Sequence, residues 1–261
     1  MKIILFTKLT NYSSTKILPE LVTSHDIKAI FIELKKQKSL FMRLKWLIRY
    51  DGYYHMFKRL ISFPFRKILN LFFSSYISDK MPDQNSIIMI GKKFGIPIFY
   101  YKNINSGVVK QNILRLDPEV GIICGTGIIK KKIFNLFRHG CINFHSGILP
   151  QYRGLDTIFW TLYNKDYDNL GFTIHFIDDS IDTGSIIFQS KIEYNEKYSV
   201  DDYYKECCVK AAPIFLQVIN ELEKGRLDSK EQSKHIKSKF YWMATYKQKK
   251  KLNKRLLKNN V

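Results

Sequence analysis

GIICGTGIIKKKIFNLFRHGCINFH, residues 121–145, decides the fold. Its opening GIIC is a short apolar run that stops at the glycine-containing bend Gly125-Thr126-Gly127, as a strand buried on both faces does. Lys130–Phe137 suits a helix, Gly140 breaks it, and CINFH (141–145) is a second strand. A strand, a helix and a strand in this order form a crossover unit, and crossover units build parallel sheets with helices on their faces.

The same rhythm extends in both directions. KIILFT (2–7) is a strand, a helix follows over about 14–24, and IKAIFIEL (27–34) is the next strand. Ser86–Ile90 and Pro97–Tyr100 are short strand candidates separated by a helix-like or turn segment containing Gly95, and Asn105–Leu116 is a helix. Leu155–Tyr163 is a helix. GFTIHFIDD (171–179) and GSIIFQSKI (184–192) alternate in polarity around the turn Ser180–Thr183, as an antiparallel or mixed edge would. Val200–Leu222 is a long amphipathic helix with an early Asp pair that suits its N-terminus. From Lys230 the chain is basic, with the aromatic patch Phe240-Tyr241-Trp242; a docked segment and then a frayed helical tail are expected. The expected fold is α/β: a Rossmann-like, mostly parallel sheet flanked by helices, with a helical insertion and a short helical C-terminal extension. One α/β domain is expected over residues 1–195. Residues 196–261 would be the C-terminal helix and basic tail, packed on that domain or extending from it.

The insertion covers about 35–75 and is rich in aromatic and basic residues. Leu40, Leu44, Leu47 and Ile48 recur at helical spacing, so a basic amphipathic helix is expected, with a second around Tyr54–Leu60 that stops near Pro64. It reads as a plain helical insertion, as a substrate or partner contact, or as a segment held near a membrane surface.

A chain of 261 residues, 45% hydrophobic, can bury one good core, which excludes a disordered chain, and no internal period suggests a repeat protein. The net charge of +20 favours phosphates, nucleic acid or anionic headgroups. It does not separate RNA from a small phosphorylated substrate, and a general Lys, Ile and Asn bias also contributes. Cys124, Cys141, Cys207 and Cys208 have no metal-ligand spacing, and Cys124 and Cys141 read as buried thiols in a reducing compartment. The first apolar run is too short for a signal peptide and no run reaches eighteen apolar residues, so a cytoplasmic address is expected.

Chemistry gathers between residues 141 and 187. Asn143 and His145 lie two apart on one strand and face the same way, at the carboxyl end where open parallel sheets hold their sites. Ser146, Gly147, Pro150, Tyr152, Arg153 and Gly154 form a loop too polar to be a simple connector. An amide beside an imidazole suits addition at a carbonyl, because both stabilise a developing oxyanion. Asp182 reads either as a turn carboxylate capping backbone N–H groups or as a group that orients the histidine and moves a proton. By strand parity His175 faces opposite to Phe172 and Ile174, which leaves it near the site or simply on the polar side.

The run Asn143-x-His145-x-x-x-Leu149-Pro150-x-Tyr152-x-Gly154 resembles the folate-dependent formyltransferases. So do Gly171-x-Thr173-x-His175-Phe176 and Asp182-x-Gly184-x-Ile186-Ile187, and the likeness covers roughly residues 118–192. The resemblance implies transfer of formyl from N10-formyltetrahydrofolate to a primary amine, with Asn143, His145 and Asp182 as the catalytic trio and no metal. It also implies a folate held against Ile122, Ile123, Cys124, Gly125 and Thr126, bordered by Ile88, Asp178 and Asp179.

Three branches of that family use different amines. The methionyl-tRNA branch is usually longer, with a C-terminal barrel for which residues after Ile192 show no set of short strands. The purine branch normally has a glycine-rich phosphate loop after its first strand, where this chain has Thr7-Lys8-Leu9-Thr10-Asn11-Tyr12-Ser13. The sequence is most similar to the sugar-nucleotide N-formyltransferases. That implies a nucleoside-diphosphate amino sugar bound through Lys8, Ser146, Gly147, Tyr152 and Arg153, a role in surface polysaccharide synthesis, and a homodimer. The alternatives are a methionyl-tRNA formyltransferase or another RNA-associated protein that uses the basic tail, and a non-catalytic folate-binding protein.

Overall fold

The computed structural model describes residues 1–34, 49, 50, 52, 86–233 and 235–258. Its main sheet has seven strands: β1 (Lys2–Thr7), β2 (Asp26–Glu33), β3 (Ile98–Tyr101), β4 (Val120–Cys124), β5 (Cys141–His145), β7 (Gly171–Phe176) and β8 (Ile186–Lys191). Their order is β3-β2-β1-β4-β5-β7-β8. The first five run parallel, and β7 and β8 add an antiparallel edge. The order reverses between β1 and β4, and open sheets of this kind hold their ligands at the carboxyl ends of the strands near such a reversal.

Helices cover both faces, so β1 is apolar at consecutive positions. Ile3 and Leu5 enter one core with helix α1 (Tyr12–Leu21), helix α5 (Thr157–Asn164) and helix α6 (Val200–Glu223). Ile4 and Phe6 enter the other, with Val109 and Ile113 of α3 (Gly107–Leu116) and Ile133 of α4 (Lys131–Phe134). Phe6 packs edge-on against Phe31 and Phe137 at 5.4 and 5.8 Å between ring centroids. Each such buried aromatic or aliphatic side chain contributes roughly 1.5–3 kcal/mol of transfer free energy. The α6 helix starts in a reciprocal cap, with Ser199 and Asp202 each accepting the other's backbone N–H.

Three expectations are corrected. Ser86–Ile90 is not a strand: α2 spans Ile87–Lys93, with the Ser86 hydroxyl accepting from Met89 N–H as its cap. A four-residue apolar run cannot separate buried strand from buried helix, and Gly91 settles it here by letting the helix lie directly on Ile30 and Ile98. The helix expected over 130–137 is a single turn, and the remainder closes through three-residue turns at Leu136 and Phe137. The tail after 246 is docked rather than frayed. Helix α7 (Tyr246–Lys258) buries Leu252 and Leu256, and Arg255 donates to the last carbonyls of α5, Leu162 O and Tyr163 O. Before it, β9 (Lys239–Tyr241) pairs in parallel with β6 (Tyr152–Gly154), a small second sheet that the composition did not signal. The insertion expected over 35–75 lies outside the described residues, apart from Arg49, Tyr50 and Gly52. Among the described residues no helix is long and apolar enough to cross a membrane.

Candidate active site

Asn143 and His145 stand on β5, and the antiparallel register brings His175 of β7 directly opposite Asn143. Asp182 follows β7 in a turn with φ of 54°, a left-handed conformation that Asp tolerates better than most residues. From there one carboxylate oxygen lies 3.7 Å from His145 Nδ1 and the other 3.7 Å from His175 Nε2. The side chain of Asp182 is 13% exposed, enough to meet a ligand but well shielded from bulk water.

The hydrogen bonds determine where the protons sit. His175 Nδ1 lies 2.7 Å from Phe176 O, an acceptor only, so Nδ1 carries a proton. Burial, followed by the positive field of His145, pushes the His175 pKa down from the ordinary 6.5 to about 4. The ring is therefore neutral near pH 7, its Nε2 is a bare acceptor, and the Asn143 amide must turn N–H toward it at 3.1 Å. His145 Nε2 is 2.7 Å from Tyr152 O and so donates to it, leaving Nδ1 to face Asp182. What the cluster presents is one spare amide N–H, one imidazole nitrogen and one carboxylate.

This has a consequence for stability. Because the folded His175 pKa is depressed, the unfolded chain takes up the proton first as pH falls. The stabilisation is complete above about pH 6.5 and is lost between about 6.5 and 4, roughly 3 kcal/mol in all. Urea melts at pH 7 and pH 4.5 should show a larger loss for the wild type than for His175→Gln.

The loop after β5 is held by side chains that are not at the site. The Thr173 hydroxyl donates to Gly147 O and accepts from Leu149 N–H, Gln189 donates to Leu149 O, and Thr157 donates to Ser146 O. This folds the chain back so that Tyr152 O reaches His145 and Gly154 N–H reaches Asp182 Oδ2 at 2.8 Å. Gly154 has φ of 97°, and a Cβ there would lie 2.2 Å from Tyr241 O, so the residue must be glycine.

The other expected positions divide. Asn143, His145 and Asp182 come together, and Ser146 and Gly147 follow directly in the chain. Tyr152 is buried, stacked on Tyr241, and its hydroxyl donates to Asp166, while its carbonyl meets His145. Arg153 donates to Gln232 Oε1. Lys8 is half-buried after β1. The Ile122 and Cys124 side chains lie wholly inside one core and Ile123 in the other, so the bend exposes Gly125 and Gly127, with Thr126 half-buried between them, rather than these side chains. Gly127 N–H donates to Glu33 at the end of β2. Ile88 packs partly buried on the main core. Asp178 accepts from Ser180 N–H and the Thr183 hydroxyl, and Asp179 pairs with Lys131 at 2.9 Å. All four cysteines are buried free thiols, with burial pushing Cys124 up to about 12. The participant left undecided by parity is His175; the cross-strand register, not the residue's own neighbours, brings it in.

A family model described as formyl transferase matches residues 98–219. The methionyl-tRNA formyltransferase of Thermodesulfovibrio yellowstonii is 31% identical over 143 residues, covering 54% of this chain and 46% of that protein. The chain spans about half the length of the curated relatives it matches. An N-formyltransferase from Helicobacter canadensis, solved with folinic acid and dTDP-3-aminofucose, has a TM-score of 0.59 at 16% identity, covering 92% of this chain and 70% of that one. Glycinamide ribonucleotide transformylase 1 from Symbiobacterium toebii gives 0.58 at 14% identity, covering 89% and 94%. At these identities the solved structures speak to the fold.

Proposed function

We infer that this chain, which belongs to the folate-dependent formyltransferase family, moves a formyl group from N10-formyltetrahydrofolate to a primary amine. The observation that carries the reading is the convergence of Asn143 and His145 of β5 with Asp182 of the turn after β7. In this mechanism the Asp182 carboxylate accepts a proton from the incoming amine, directly or through water, and keeps His145 Nδ1 aimed at the reacting carbonyl. Asn143 gives its spare N–H to the developing oxyanion, and a proton on His145 Nδ1 adds a second donor. His175 stays neutral and aims the Asn143 amide.

The formyl donor would lie along the exposed bend at Gly125 and Thr126, which follows β4 next to β5 in the sheet. Ile122, Ile123 and Cys124 would contribute backbone, and Asp178 and Asp179, with Ile88, would border it. The reading is supported by main chain exposed at Gly125, where the Asn11 amide packs alongside and adds a polar group within reach of a flat heterocycle.

For the acceptor we favour the amine of a nucleotide-linked amino sugar, held by Lys8, Ser146, Gly147 and Arg153. Support comes from the loop after β1. Asn11 accepts from Ser14 N–H and from the Ser13 hydroxyl, so the N-terminus of α1 is already capped by the chain itself rather than open to a ribose phosphate. A second reading, methionyl-tRNA as acceptor, is favoured by the names of the sequence relatives and by the charge of +20. A formyl-transfer assay with dTDP- and UDP-linked amino sugars, methionyl-tRNA and glycinamide ribonucleotide separates them. Turnover is expected with an amino sugar only; turnover of the tRNA alone would replace the first reading with the second.

A further inference from the structure

We propose that Gln232, beyond the residues matched by the family model, is a positioning residue that holds Asp182 in its working orientation; this rests on the formyl-transfer reading above. After α6 the chain runs back along the sheet edge. Lys230 forms an isolated antiparallel bridge with Ile186, exchanging both backbone hydrogen bonds at 2.7 and 2.8 Å. That bridge carries the chain two residues on to Gln232, beside the turn that holds Asp182.

The amide of Gln232 can point only one way. Arg153 Nη2, a donor only, lies 2.8 Å from Oε1. Nε2 therefore faces the turn, where it donates to Asp182 O and Gly184 O, both at 2.9 Å. One side chain thus bridges the two carbonyls on either side of Thr183. Asp182 needs such support, because its backbone is left-handed and its carboxylate lies 3.7 Å from each imidazole rather than in direct hydrogen bonds with them. Among the described residues its carboxylate accepts one direct hydrogen bond, from Gly154 N–H, which fixes a single oxygen. Gly184 leaves no room for a side chain, since a Cβ there would meet Phe176 O at 1.9 Å. Arg153 in turn orients Gln232, so the loop after β5 holds the Asp182 carboxylate through Gly154 N–H while the segment after α6 holds its backbone.

The test compares Gln232→Ala and Gln232→Glu with the wild-type full chain. The glutamate keeps the Arg153 contact and nearly the same shape but offers no N–H to either carbonyl. We expect kcat to fall about tenfold or more in both, with the KM for the formyl donor within about twofold. The pH profile of kcat should shift, and the His145 ring resonances in proton–nitrogen NMR should move. Unchanged kcat, or a lowered kcat with unmoved ring resonances and pH profile, would overturn the assignment. If the wild type transfers formyl to no amine, the formyl-transfer reading fails instead, and the ring resonances still decide the role of Gln232.

Discussion

Asp182→Asn is expected to lower kcat for formyl transfer by about 10³-fold or more while leaving the fold intact. Both halves follow from the same geometry. Asparagine tolerates the left-handed backbone that Asp182 adopts, and its carbonyl oxygen can take over the hydrogen bond from Gly154 N–H. The turn should therefore stay put, and thermal unfolding should shift by no more than a few degrees. What disappears is the charge. A carboxamide cannot accept a proton from the amine, and it cannot balance a proton on His145 Nδ1, 3.7 Å away. Replacing the carboxylate of a histidine–carboxylate pair with its amide costs about 10⁴ in a well-studied hydrolase; a separation of 3.7 Å rather than a direct hydrogen bond argues for a similar or somewhat smaller loss here. Single-turnover transfer with saturating donor is the measurement. A variant that retains a tenth of wild-type kcat would remove Asp182 from the chemistry and leave it as a turn carboxylate, the bland reading of its sequence.

The parts of this site differ in how readily sequence discloses them, for physical reasons. Asn143 and His145 were legible because strand periodicity is local: two positions apart means one face, whatever the rest of the chain does. The same local rule located the parallel core, since strands buried on both faces are continuously apolar, as β1 and β4 are. His175 was half legible. Parity separated it from Phe172 and Ile174, but only the pairing Asn143↔His175 says which atom it meets. Ser86–Ile90 failed because its apolar run is as short as a strand, while the cap and the small residue that make it a helix act at Met89 and Gly91. Tyr152 was legible as a motif position, but that its carbonyl meets His145 depends on how the loop after β5 folds back, which no local pattern states. Gln232 and β9 were invisible, because each depends on a contact with a residue fifty or more positions away.

Asn143→Ala should lower kcat by about 10²–10³-fold, with the KM values for both substrates nearly unchanged. An amide N–H that meets oxygen only as charge develops on it stabilises the transition state and not the bound ground state, and deletion of one such donor typically costs that much. The variant has a second signature that separates this role from simple packing. His175 Nε2 is buried and accepts from Asn143; without that donor it is left unpaired, at a cost on the order of 1–3 kcal/mol of stability. Catalytic loss and destabilisation should therefore appear together in Asn143→Ala. In His175→Gln, which keeps an acceptor opposite Asn143, kcat should fall far less, because the amide stays in place and only its aim is loosened. If Asn143→Ala instead raises KM in step with a modest loss of kcat, the amide contributes ground-state binding, and the oxyanion must be met by His145 alone.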